Sequence, residues 1–83
     1  MNENLLHEFL EDEYDSDIRH LLLATIQESK SSPELLKRDF AFNRFNVVLN
    51  FEFRRVLIED DLTVGEQGEC EIEMEEFEEI LKK

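Results

Sequence analysis

Residues 45–53, Phe-Asn-Val-Val-Leu-Asn-Phe-Glu-Phe, alternate in character: Phe45, Val47, Leu49, Phe51 and Phe53 fall on one side, Asn46, Asn50 and Glu52 on the other. A period of two sustained over such a run predicts a half-buried strand. Val56-Leu57-Ile58 follows at once, so the spacing predicts a hairpin with one apolar face that helices must cover. With a two-residue turn at Phe53-Arg54, Leu49 faces Ile58, Phe51 faces Val56 and Glu52 forms a cross-strand pair with Arg55. Phe-Arg is poor chemistry for a tight primed turn. A four-residue loop, or Phe53 folded back onto the core, is the open alternative.

The helices come first in the chain. Residues 3–14 place Leu6, Phe9, Leu10 and Glu13 on one helical face, with Leu5 and Tyr14 beside it. The acids around Tyr14 to Ser16 suit the start of a second helix better than the end of the first, with Asp15 or Ser16 as its cap. Ile18, Leu21, Leu22, Thr25 and Ile26 then follow the spacing i, i+3, i+4, i+7, i+8 and predict a helix ending near Ser29-Lys30. Ser32-Pro33-Glu34 carries a helix-start signature, serine as cap and proline in the first turn. It predicts a third helix from Pro33 to about Phe42, presenting Leu35, Leu36, Phe40 and Ala41.

After the hairpin, Thr63 to Gly68 holds both glycines of the chain and reads as a loop. Glu69-Cys70-Glu71-Ile72-Glu73-Met74 alternates again, with Cys70, Ile72 and Met74 inward, and predicts a third strand. From Glu75 the period changes, and Phe77, Ile80 and Leu81 share a helical face with acids at its start and Lys82 and Lys83 at its end, as the helix dipole prefers. The expected architecture is one α+β domain over residues 1–83: three N-terminal helices, a three-stranded antiparallel sheet and a C-terminal helix.

Charge bounds the function. The net charge is −13. Residues 1–30 carry −6, residues 31–55 carry +2, and residues 56–83 carry eleven acids against Lys82 and Lys83, for −9. Direct binding to nucleic acid or to an anionic membrane is disfavoured, since both reward positive charge. A basic protein partner is favoured, because opposite fields accelerate encounter. No apolar run approaches the roughly 18 residues of a membrane span. The N-terminus has no basic-then-apolar signal, and the one cysteine, Cys70, forms no disulfide within the chain. Both favour a cytoplasmic setting.

The candidate chemistry lies in the acids. Glu69, Glu71, Glu73 and Glu75 form a ladder about 6.7 Å apart along the outer side of the last strand. Such a row can dock Lys and Arg of a partner, and it can equally keep an edge strand from pairing with its own kind; the two roles are compatible. Taken with neighbouring acids, it gives a partner-binding set of Glu59, Asp60, Asp61, Glu69, Glu71, Glu73, Glu76 and Glu79, joined by Asp12 and Asp15. The stretch from Asp61 to Glu76 fails as a calcium loop: with Glu76 as last ligand, Gly65 would be the first and Cys70 would stand at the turn glycine. His7, His20 and Cys70 have no metal-ligand spacing, and no nucleophile elbow or phosphate loop is present. No metal, cofactor or catalytic residue is expected, and an enzyme is not the expected class.

The run Val47-Val48-Leu49-Asn50-Phe51 to Val56-Leu57-Ile58-Glu59-Asp60-Asp61-Leu62, then a strand and the Glu75-Glu76-Phe77 helix, resembles the small acidic immunity proteins of bacterial contact-dependent and other polymorphic toxin systems. The resemblance spans about half the chain and is one of character, without a shared motif. It implies a cytoplasmic inhibitor that covers the active cleft of a basic toxin domain, commonly a nuclease. The alternative from a different class is a nucleic-acid mimic or regulatory adaptor that binds a basic DNA- or RNA-binding protein.

Overall fold

The computed structural model describes residues 3–12, 14–60 and 68–83, with side chains described from Leu5 onward. The order is α1 (Glu3–Asp12), α2 (Ser16–Ser31), β1 (Lys37–Ala41), β2 (Phe45–Asn50), β3 (Arg55–Asp60), β4 (Glu69–Glu73) and α3 (Met74–Lys82). The strands form an antiparallel meander in the order β1-β2-β3-β4, so β1 and β4 are the edges. The architecture is α+β, with two N-terminal helices and four strands where the sequence predicts three of each.

The difference lies at residues 33–42. Pro33 sits at the second position of a turn in which Ser32 C=O accepts from Leu35 N–H at 3.0 Å, a place proline suits as well as a helix start. The chain then runs extended as β1 and pairs Lys37 with Asn50 through Ala41 with Asn46. A short helix here would have buried little. A strand gives the backbone of β2 its second set of partners, and unpaired backbone groups next to a core are expensive. Phe40 remains half-buried against the core.

The hairpin is present, with its register two residues from the tight-turn expectation: Val47 faces Ile58, Leu49 faces Val56 and Asn50 faces Arg55. A shift of two keeps every side chain on its expected face. Phe51–Arg54 form a four-residue loop. Asn50 Oδ1 accepts from Phe53 N–H at 3.1 Å, and Arg54 takes a left-handed conformation, φ 58°. Glu52 therefore does not pair with Arg55, whose guanidinium donates to Glu71 at 2.9 Å. Phe53 stands 68% exposed at the tip rather than folded onto the core.

The sheet has a covered and an open face. Phe45, Val47, Leu49, Val56, Ile58, Cys70 and Ile72 are buried under the helices. The helices contribute Leu5 and Phe9 from α1, Leu22 and Ile26 from α2, and Met74, Phe77 and Leu81 from α3. The buried stripe of α1 is thus Leu5–Phe9, one turn apart, while Leu6 and Leu10 are half-buried at its flank. Phe9 anchors it, with its ring edge-on to Phe45 at 5.6 Å and near Tyr14 and Phe42. Asp15 caps α2 by accepting from Ile18 N–H at 2.9 Å. Met74 is inward as expected, but as the first residue of α3, so Glu75 belongs to the helix and not to the strand ladder.

Candidate functional site

The open face and the β4 edge carry what the core leaves over. Strand parity turns Glu69, Glu71 and Glu73 outward, and all three are exposed. Leu57 faces Glu71, Arg55 faces Glu73 and Glu59 faces Glu69 across the β3–β4 ladder. Met74 N–H donates to Arg54 C=O at 3.0 Å, so the hydrogen-bonded pairs of this ladder are the even-numbered ones. Glu59 and Glu69 are therefore a close, non-hydrogen-bonded pair with like charges opposed, an arrangement that costs stability.

Cations are placed so as to neutralise only some of these acids. Arg55 reaches diagonally to Glu71 and not to Glu73 opposite it. Arg54 donates to Glu75 at 3.0 Å, and that hydrogen bond holds the Glu75 carboxyl below the usual range. Glu78 turns inward, where Lys30 of α2 approaches at 3.1 Å and Lys82 at 3.4 Å. Burial alone would raise the Glu78 pKa, but the hydrogen bonds and attraction of the two lysines outweigh it and the net shift is downward. Among the described residues, Glu59, Glu69, Glu73, Glu76 and Glu79 take part in no ion pair.

Besides Glu71, three members of the expected acidic set have partners within the chain: Asp60, Asp12 and Asp15. Asp60 is 4% exposed and accepts two hydrogen bonds from Arg44, Nε at 3.2 Å and Nη2 at 2.8 Å. It lies in the interior of the fold, apart from the exposed acids with which the sequence groups it. The same guanidinium donates to Asp12 at 2.9 Å, approaches Glu8 at 3.7 Å and lies 4.8 Å above the Phe45 ring. Its hydrogen bond to Asp60, with the nearby acids, raises the Arg44 pKa further. Asp15 remains exposed but its carboxylate caps α2. Asp61 lies outside the described residues, as do Glu13 and residues 63–67 of the expected loop.

A groove of about 750 Å³ runs beside β4 between α1 and α3. Leu6 and Leu10 of α1 and Ile80 of α3 form apolar walls, and Glu71, Glu73 and Glu76 form an acidic rim. His7, Arg55 and Lys83 also border it. A second, smaller depression on the open face is bordered by Val48, Leu57, Phe53 and Lys37. The sequence points to neither, since Leu6, Leu10 and Ile80 read as core stripe and Val48 and Leu57 as parts of continuous apolar runs. Parity could have found the latter: Val48 and Leu57 lie between inward residues and face each other across β2–β3.

Among the described residues, no group of three or more His, Cys, Asp or Glu is arranged to hold a metal ion, and no helix is long and apolar enough to cross a membrane. Cys70 is buried, as its inward parity predicts. Comparison with protein-family models, curated proteins and solved structures finds no match.

Proposed function

We propose that this protein is a binding module of the immunity type, which neutralises a basic toxin domain, a nuclease, by laying an acidic surface over its active cleft. The observation that supports this reading is the uneven neutralisation of charge. Arg38, Arg44, Arg54, Arg55, Lys30 and Lys82 each hold at least one carboxylate within the chain. Among the described residues, those on β4 and α3 left without an ion pair are Glu69, Glu73, Glu76 and Glu79, with Glu59 beside them. Glu76 and Glu79, three residues apart on a helix, share a face.

A cleft built to hold phosphates offers lysines and arginines at the positions such carboxylates would meet, and complementary fields act mainly on the association rate. The binding surface of this proposal is therefore narrower than the sequence alone suggests. Glu69, Glu73, Glu76 and Glu79 form its centre, and Glu71 serves as the internal partner of Arg55.

The test is capture of a partner from the native source, followed by stopped-flow association with it. Reversal of both helix acids, Glu76→Lys with Glu79→Lys, should slow association about tenfold or more, and added salt should reproduce the loss in the wild type. An association rate unaffected by the double variant and by salt would overturn the electrostatic reading. Capture of a basic DNA- or RNA-binding protein in place of a toxin would instead establish the nucleic-acid-mimic alternative.

A further inference from the structure

Resting on the reading of the protein as a module for a basic partner, we propose that the outer edge of β4 accepts an extended, basic segment of that partner as a fifth strand of the sheet. The ladder geometry identifies the backbone groups. Because Met74 N–H donates to Arg54 C=O, the pairs Arg55–Glu73, Leu57–Glu71 and Glu59–Glu69 are non-hydrogen-bonded. The N–H groups of Glu69, Glu71 and Glu73 therefore point away from β3. Among the described residues, no strand pairs with that side of β4. Such an edge is a template for another chain.

The groove beside β4 gives the incoming strand its shape and its composition. Side chains of an added strand alternate between the two faces of the sheet. On the helix side they would meet Leu6, Leu10 and Ile80, an apolar wall. On the open side they would meet the row Glu69, Glu71 and Glu73. The occupant is thus a strand that alternates apolar and basic residues. A second copy of this chain is a poor occupant, since β4 against β4 would set glutamates against glutamates.

Glu73 allows a selective test. Its φ of −72° already matches proline, so Glu73→Pro removes one outward N–H without asking for a new backbone conformation. Glu73→Gln removes the charge and keeps the N–H. The probe is a blocked peptide of alternating Lys and Val, about seven residues long, within the usual strand range. Hydrogen exchange of the wild-type protein read by NMR should show the amides of Glu69, Glu71 and Glu73 slowing at least tenfold on saturation with the peptide. Affinity should fall about two- to threefold in Glu73→Gln and about tenfold in Glu73→Pro, the added loss being one hydrogen bond and its neighbours' alignment.

Peptide bound with those three amides exchanging as in the free protein overturns strand addition. So does equal affinity in the two Glu73 variants, or no binding of the peptide at low salt. None of these outcomes touches capture of a basic protein or the effect of the Glu76 and Glu79 reversals, which decide the broader reading separately.

Discussion

Arg44 is the residue whose loss would be felt in most places at once. It sits between β1 and β2 yet holds Asp60 of β3 and Asp12 of α1, with Glu8 close by and the Phe45 ring beneath. One planar fork thus ties a helix to the sheet. The buried member of this group is the sensitive one. Asp60→Asn keeps the shape but loses the charge and one acceptor, and chemical denaturation should show about 2 kcal/mol less stability, in the range for hydrogen bonds to charged groups. Glu8→Gln, at the exposed end of the same cluster, should cost less than about 0.5 kcal/mol. Little of this was legible in the sequence. Arg44 and Asp60 are sixteen positions apart, and their meeting depends on the β2–β3 register. Parity alone did place Asp60 on the side of Val56 and Ile58, and its membership of the run Glu59-Asp60-Asp61 concealed that.

At the scale of elements, the legible parts were those whose period lasted longest. β2 alternates except at Val48, α2 repeats its apolar residues from Ile18 to Ile26, and β4 alternates between glutamates and small or apolar residues. β1 was not legible. Of its five residues only Phe40 is even half-buried, so the alternation that marks a strand is almost absent from Lys37 to Ala41. The hairpin loop was hidden for another reason: its left-handed position is filled by Arg54, where glycine or asparagine would have announced it. The docking of α3 on α2 also lacked a sequence signal, because Lys30 and Glu78 are 48 positions apart.

That docking titrates. The folded-state pKa of Glu78 lies below its ordinary value, so its contribution is present above the ordinary glutamate range and disappears as pH falls through the depressed folded-state value. The two lysines are partly solvated, with side chains 44% and 57% exposed, so solvent screening keeps the contribution to about 1 kcal/mol. Glu78→Gln should accordingly lower the melting temperature at neutral pH. The gap between the two proteins should close as both are taken down through the acid range. A gap independent of pH would assign the loss to packing of the side chain instead.

For the molecule as a whole, charge and topology pull in different directions. Ion pairs are numerous, but most are solvated and each contributes little, whereas the net charge of −13 acts throughout. Raising NaCl from about 0.01 M to about 0.3 M, which shortens the screening length from about 30 Å to about 6 Å, should therefore raise the melting temperature by a few degrees. A decrease would mean that the Arg44 and Glu78 clusters outweigh the general repulsion.

The strand order β1-β2-β3-β4 repeats the order of the chain, so each strand finds its neighbour across a short stretch of backbone. Little loop entropy opposes the sheet, and topologies of this kind sit toward the fast end of the folding-rate scale for sheet proteins. The helices close differently. α1, at the start of the chain, must settle against β4 and β3, and α3, which supplies Phe77 and Leu81, follows the last strand. During synthesis the meander can assemble strand by strand, while Phe9 waits for its cover. The contact of α1 with β4 joins distant parts of the chain, so it carries one of the larger loop-closure costs in the fold.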